Sequence, residues 1–104
     1  MVLRVKIVAG THGVDYTFTW RNVDYSNASG YTVKLYVWRG DTVLVDGGTC
    51  TATYDGTNTI VTYTTEDVFN TVGVWNAYLV ATKSDFEDKT LPFEWEVVEG
   101  HPED

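Results

Sequence analysis

Two stretches near the C-terminus place a large or apolar residue at every second position. The first runs Trp75, Ala77, Leu79 and Ala81, and the second Leu91, Phe93, Trp95 and Val97. Successive side chains of a strand point to opposite faces, so this period of two marks half-buried β-strands and not helices. Such strands must bury their apolar face against another layer. The same alternation recurs upstream. Val2–Val8 sets Leu3, Val5 and Ile7 on one face, and Asp15–Trp20 sets Tyr16, Phe18 and Trp20 on one face. Tyr31–Trp38 turns Val33, Leu35 and Val37 inward. Val33, Leu35, Val37, Trp75, Leu79, Phe93, Trp95 and Val97 are therefore the expected core, with Tyr16, Phe18 and Trp20 against them.

Turn chemistry separates these runs. Asn22–Gly30 is rich in Asn, Asp, Ser and Gly and reads as a loop. Arg39-Gly40-Asp41 reads as a hairpin turn into Thr42–Val45. Asp46-Gly47-Gly48 reads as a second turn before Thr49–Tyr54, and Asp55-Gly56 as a third before Thr59–Thr64. Thr65–Phe69 carries the one helical signal, with Thr65 as cap and Glu66 and Asp67 at the positive end. Val74–Thr82 and Thr90–Val98 close the chain, joined through the acidic turn Asp85-Phe86-Glu87-Asp88. The acidic turn Thr65–Phe69 feeding the Gly-x-aromatic strand that opens Gly73-Val74-Trp75 is the pattern of the last strands of an immunoglobulin-like sandwich. The expectation is all-β: one immunoglobulin-like β-sandwich domain of seven to eight antiparallel strands over residues 1–98, with an acidic tail at 99–104. Arg4 and Lys6 lie opposite in charge to Glu94 and Glu96, which places the first and last strands side by side, in parallel.

Charge and cysteine content narrow the function classes. The formal net charge of −8 argues against nucleic acid and against an anionic membrane surface. No apolar run approaches the ~20 residues that span a bilayer, so no membrane insertion is expected. No signal peptide opens the sequence. The lone Cys50 forms no intrachain disulfide, which favours synthesis in the cytosol.

Catalysis needs a nucleophile with its base, paired carboxylates or a metal. His12 lies in a Gly-flanked loop, His101 in the tail, and Cys50 in a Thr/Ala-rich strand, so no nucleophile–base pair and no zinc ligand set is legible. No enzyme activity, cofactor or resident metal is expected. Asp85–Asp88 has the oxygen ligands for Ca²⁺, and the plain alternative is a solvated turn. Arg39-Gly40-Asp41 is the tripeptide that integrins read, and equally ordinary turn chemistry. Asn27-Ala28-Ser29 is a glycosylation sequon.

The outward faces carry the sharper signal. If Tyr31–Trp38, Val74–Thr82 and Thr90–Val98 are neighbours in one sheet, Lys34, Tyr36 and Trp38 lie beside Asn76, Tyr78 and Val80, and these beside Glu94 and Glu96. Three aromatics on one sheet face suggest a protein interface. Lys34, Tyr36, Trp38, Tyr78, Val80, Glu94 and Glu96 are the candidate contact residues, and a carbohydrate platform is the rival reading of the same aromatics.

Asp15-Tyr16-Thr17-Phe18-Thr19, Gly30–Val37, Asn58–Tyr63, Thr65-Glu66-Asp67, Gly73–Leu79 and Leu91–Val97 together resemble a known family. It is the immunoglobulin-like N-terminal domain of phage baseplate upper proteins and related tail and fibre proteins. The likeness covers roughly residues 14–98. It implies a non-enzymatic structural role in a virion, assembled in the bacterial host cytoplasm, with other tail, baseplate or capsid proteins as partners. The family's domain precedes a longer stalk or receptor-binding segment, whereas this sequence stops at Asp104. The expected role is therefore a tail or baseplate accessory or a capsid decoration protein. The alternative is a module on a particle or cell surface that binds a host glycan.

Overall fold

β4 organises the molecule. In the computed structural model, which describes residues 4–90 and 92–100, β4 (Thr42–Tyr54) is one strand of thirteen residues. Its first part pairs with β3 (Thr32–Arg39) and its last with β5 (Thr59–Thr64). It thereby carries one curled, eight-stranded sheet around a corner. β1 (Arg4–Val8), β2 (Asp15–Trp20), β6 (Gly73–Lys83), β7 (Phe86–Lys89) and β8 (Phe93–Val98) complete it. The strand order is β1-β8-β6-β3-β4-β5-β2, with β7 on β6. The protein is all-β, and the only helical element among the described residues is a 3₁₀ turn at Asn27–Ser29.

The turn expected at Asp46-Gly47-Gly48 is instead this bend in β4. Gly47 takes a φ of 77°, and the β3–β4 register shifts on either side of Tyr36 and Val37. A Cβ on Gly48 would lie 2.7 Å from Val45 Cγ1 and 2.8 Å from Tyr63 Cε1. The glycines let the strand turn under its neighbours without leaving the sheet. The expected helical turn at Thr65–Phe69 is also absent. Thr65 Oγ1 accepts from Val14 N–H, and the Thr65 amide donates to Val14 O. Committed to Val14, the residue before β2, this threonine caps nothing.

The acidic turn Asp85–Asp88 is corrected too. Only its first residue belongs to the turn, and Phe86–Lys89 pairs antiparallel with Val80–Lys83. The last strand starts at Phe93, although Thr90 already bonds Leu79 through both its backbone N–H and its hydroxyl. Val2, Leu3, Leu91 and tail residues 101–104 fall outside the described residues.

The inward faces are as the alternation foretold. Val33, Leu35, Val37, Trp75, Leu79, Phe93, Trp95 and Val97 are all buried, with Phe18. Tyr16 and Trp20 are half-buried against them. Phe18 meets Phe93 at 5.4 Å and Tyr16 meets Trp95 at 5.7 Å. Phe69, at the turn after β5, stacks on Trp95 at 5.1 Å. The curl thus brings β2 across the core to β8. β1 pairs in parallel with β8, Arg4 beside Glu94 and Lys6 beside Glu96. Arg4 holds Glu94 directly and reaches Glu96 at 3.6 Å. The expected parallel pairing is present, although the ion pairs come from Arg4 to both glutamates.

Candidate functional site

β3 and β6 run antiparallel with Tyr36 opposite Tyr78, Lys34 opposite Val80 and Trp38 opposite Asn76. Directly opposite residues share a face, so the sheet itself assembles the aromatic group. Tyr36 and Tyr78 stack with centroids 5.2 Å apart and planes 14° from parallel. Trp38 meets Tyr78 edge-on, also at 5.2 Å. Lys89 Nζ stands 5.9 Å from the Tyr78 centroid, within cation–π range. The bend in β4 makes room: Gly47 lies under Tyr36, where a Cβ would sit 3.3 Å from the phenol oxygen. All three rings are half-buried.

Of the seven candidate contact residues, the structure gathers Lys34, Tyr36, Trp38 and Tyr78 into this cluster. Glu94 and Glu96 lie farther along the same face, where Arg4 engages both. Val80 differs from expectation. It is only 7% exposed, flanked in register by Lys34 and Lys89, and so is not available for contact. Val43 and Val74 extend the apolar surface at 54% and 44% exposure; Val74 follows the alternation of Asn76 and Tyr78, whereas Val43 does not follow from it. Val43 pairs with Trp38 across a β3–β4 irregularity that simple periodicity does not anticipate.

The electrostatics of this face differ from those of the molecule. Its strand positions carry four basic side chains, Arg4, Lys6, Lys34 and Lys89, and four acidic ones, Asp46, Glu87, Glu94 and Glu96. It is neutral, so the formal −8 of the chain lies elsewhere. An aromatic centre in a balanced polar surround is where another macromolecule meets least repulsion.

The remaining sequence motifs are absorbed by structure. The Arg39 guanidinium lies 4.1 Å over the Trp75 ring and against Gly73, so the Arg-Gly-Asp turn does not present its arginine freely. Asn27 donates to Tyr31 O and accepts from Ala52 N–H. Burial pushes the Cys50 thiol up to about 12, which keeps it protonated and a poor nucleophile. Within Asp85–Asp88, Asp88 accepts from the Tyr25 hydroxyl at 2.7 Å while Glu87 pairs with Lys89. These carboxylates do not converge. Among the described residues no group of three or more His, Cys, Asp or Glu is arranged to hold a metal ion.

Two features had no linear signal. Trp20, Tyr25, Tyr31 and Phe86 form a second aromatic group, with centroid distances of 4.8 Å for Trp20–Tyr25 and 5.0 Å for Tyr25–Tyr31. It is joined by the loop after β2 and by the Lys83–Phe86 pairing. A half-open crevice of about 200 Å³ lies between the β4 bend and the turn after β5, lined by Asp46, Tyr63 and Glu66 among others. It is smaller than the roughly 300–1,000 Å³ typical of small-molecule sites. The chain was compared with protein-family models, curated proteins and solved structures, and none matches.

Proposed function

We propose that this chain is a non-enzymatic structural component of a phage or prophage particle, a tail or baseplate accessory or a capsid decoration protein. It acts through protein–protein contact on the face centred on Tyr36, Trp38 and Tyr78. The observation that carries the contact reading is that aromatic cluster, set on a charge-balanced sheet face of a strongly acidic chain. Interface energy concentrates in such aromatic anchors ringed by polar residues. The phage assignment rests on the family resemblance of residues 14–98. We read the curled sheet as an immunoglobulin-like sandwich, with β1, β8, β6, β3 and the first half of β4 as one layer. The second half of β4, β5 and β2 form the other. The parallel β1–β8 edge and the aromatic contacts between β2 and β8 support that reading.

The test is incorporation. Trp38→Ala and Tyr78→Ala are expected to leave the far-ultraviolet circular dichroism unchanged and to remove the chain from purified particles of the phage that encodes it. Normal incorporation of both variants contradicts the interface. If the same substitutions abolish binding on a glycan array while incorporation persists, the face is a carbohydrate platform. A parent chain absent from particles contradicts the virion role itself.

A further inference from the structure

An unpaired strand edge invites another strand unless something blocks it. Most of the open edges among the described residues are blocked. β1 carries Arg4 and Lys6 along its edge. β7 has four residues and a Glu87–Lys89 ion pair. The first half of β4 is distorted by two register shifts. In its second half, Asn27 occupies the Ala52 N–H. β2 has none of these devices. Its six residues pair with β5 in unbroken register, with no lysine, proline or bulge. Every second residue of an antiparallel strand turns its N–H and C=O away from its partner, so the outer side of β2 is an intact row of donors and acceptors. The side chains flanking that row, Asp15, Thr17, Thr19 and then Arg21, are all exposed.

We infer that this edge docks β2 of a second copy of the chain, antiparallel, about a two-fold axis at Phe18. That register keeps each residue on its own face. Thr17 lies opposite Thr19, Tyr16 opposite Trp20, and Asp15 opposite Arg21, twice by symmetry. Two opposite-charge pairs, two aromatic pairs and two threonine pairs are all favourable cross-strand neighbours. A register centred on Thr17 instead sets Asp15 against Thr19 and leaves Arg21 without a carboxylate opposite. The half-buried Tyr16 and Trp20 rings are covered further in the pair. The two copies each carry −8, but at about 0.15 M salt the screening length is ~8 Å. That damps diffuse repulsion more than ion pairs in contact. The edge shares no residue with the Tyr36–Trp38–Tyr78 face, so this pairing stands or falls separately from the contact proposed there.

Sedimentation of the full chain over a concentration series up to the millimolar range tests it. The expected result is a monomer–dimer equilibrium. Arg21→Glu, which turns both ion pairs into repulsions, shifts it about tenfold toward monomer. Asp15→Arg combined with Arg21→Glu restores it, with unchanged circular dichroism throughout. A monomer at every concentration overturns the inference. So does a dimer indifferent to Arg21→Glu, or one dissolved by Trp38→Ala instead.

Discussion

Asn27 stands where a neighbouring strand would. Its side chain accepts from Ala52 N–H at 2.8 Å and donates to Tyr31 O at 3.0 Å, closing the edge of β4 beside the loop. Asn27→Ala leaves the Ala52 amide without its partner, a cost of about 1–3 kcal/mol. Urea unfolding of that variant should show a matching loss, and a midpoint equal to the parent's contradicts the role. In sequence this residue read only as a glycosylation signal, because the amide it satisfies lies 25 residues away. Trp75 is the opposite case, legible from its period alone and 1% exposed. Trp75→Ala should cost roughly 3–5 kcal/mol, with the Arg39 guanidinium losing the ring it covers. A melting temperature near the parent's would refute the packing.

At the scale of elements, strands whose faces differ sharply were legible, and irregular ones were not. β2, β3 and β8 keep strict alternation and β6 breaks it only at the buried Val80, so the core and the pairing of Arg4 with Glu94 could be read from the chain. β4 could not, because glycine at a bend and glycine at a turn carry the same signal. What separates them is the close approach of Val45 and Tyr63 to Gly48, and Tyr63 is brought there from another strand, β5. Gly48→Ala puts a methyl group into that contact and should destabilise by about 1–3 kcal/mol through overpacking. A turn glycine with open space around it would tolerate the change, so a neutral outcome in thermal unfolding would restore the two-strand reading. The candidate face was half legible for the same reason. Tyr36, Trp38 and Tyr78 follow from alternation plus strand adjacency. Val43 and Gly47 depend on the irregular register of β4, and Lys89 on a strand that read as a turn.

For the whole molecule, stability should be highest between two titration limits. Hydrogen bonds from Ser26 and Ser29 hold the Asp24 carboxylate below its ordinary range, and the amides of Asn58 and Thr57 do the same for Asp55. Their contribution is complete above the unfolded carboxylate value of about 3.9. It disappears as pH falls through the lower folded values. At the other limit, burial pushes Cys50 from 9.0 up to about 12, and Tyr25 and Tyr63 from 10.0 up to about 12. The folded state keeps protons there that the unfolded chain releases, so stability is full below the unfolded values and falls as pH rises toward the folded ones. Urea unfolding across pH should show that alkaline decline, and constant stability up to pH 12 would contradict the burial of these groups. The division of charge, a neutral aromatic face on an acidic body, is what makes this molecule a contact module in our reading. Oxidative footprinting of the free chain against purified particles of the phage we propose it belongs to tests that most directly. The account predicts that Tyr36, Trp38 and Tyr78 become protected on assembly while exposed Tyr54 and Phe86 stay reactive. Equal oxidation of Trp38 and Tyr78 in both states would contradict it.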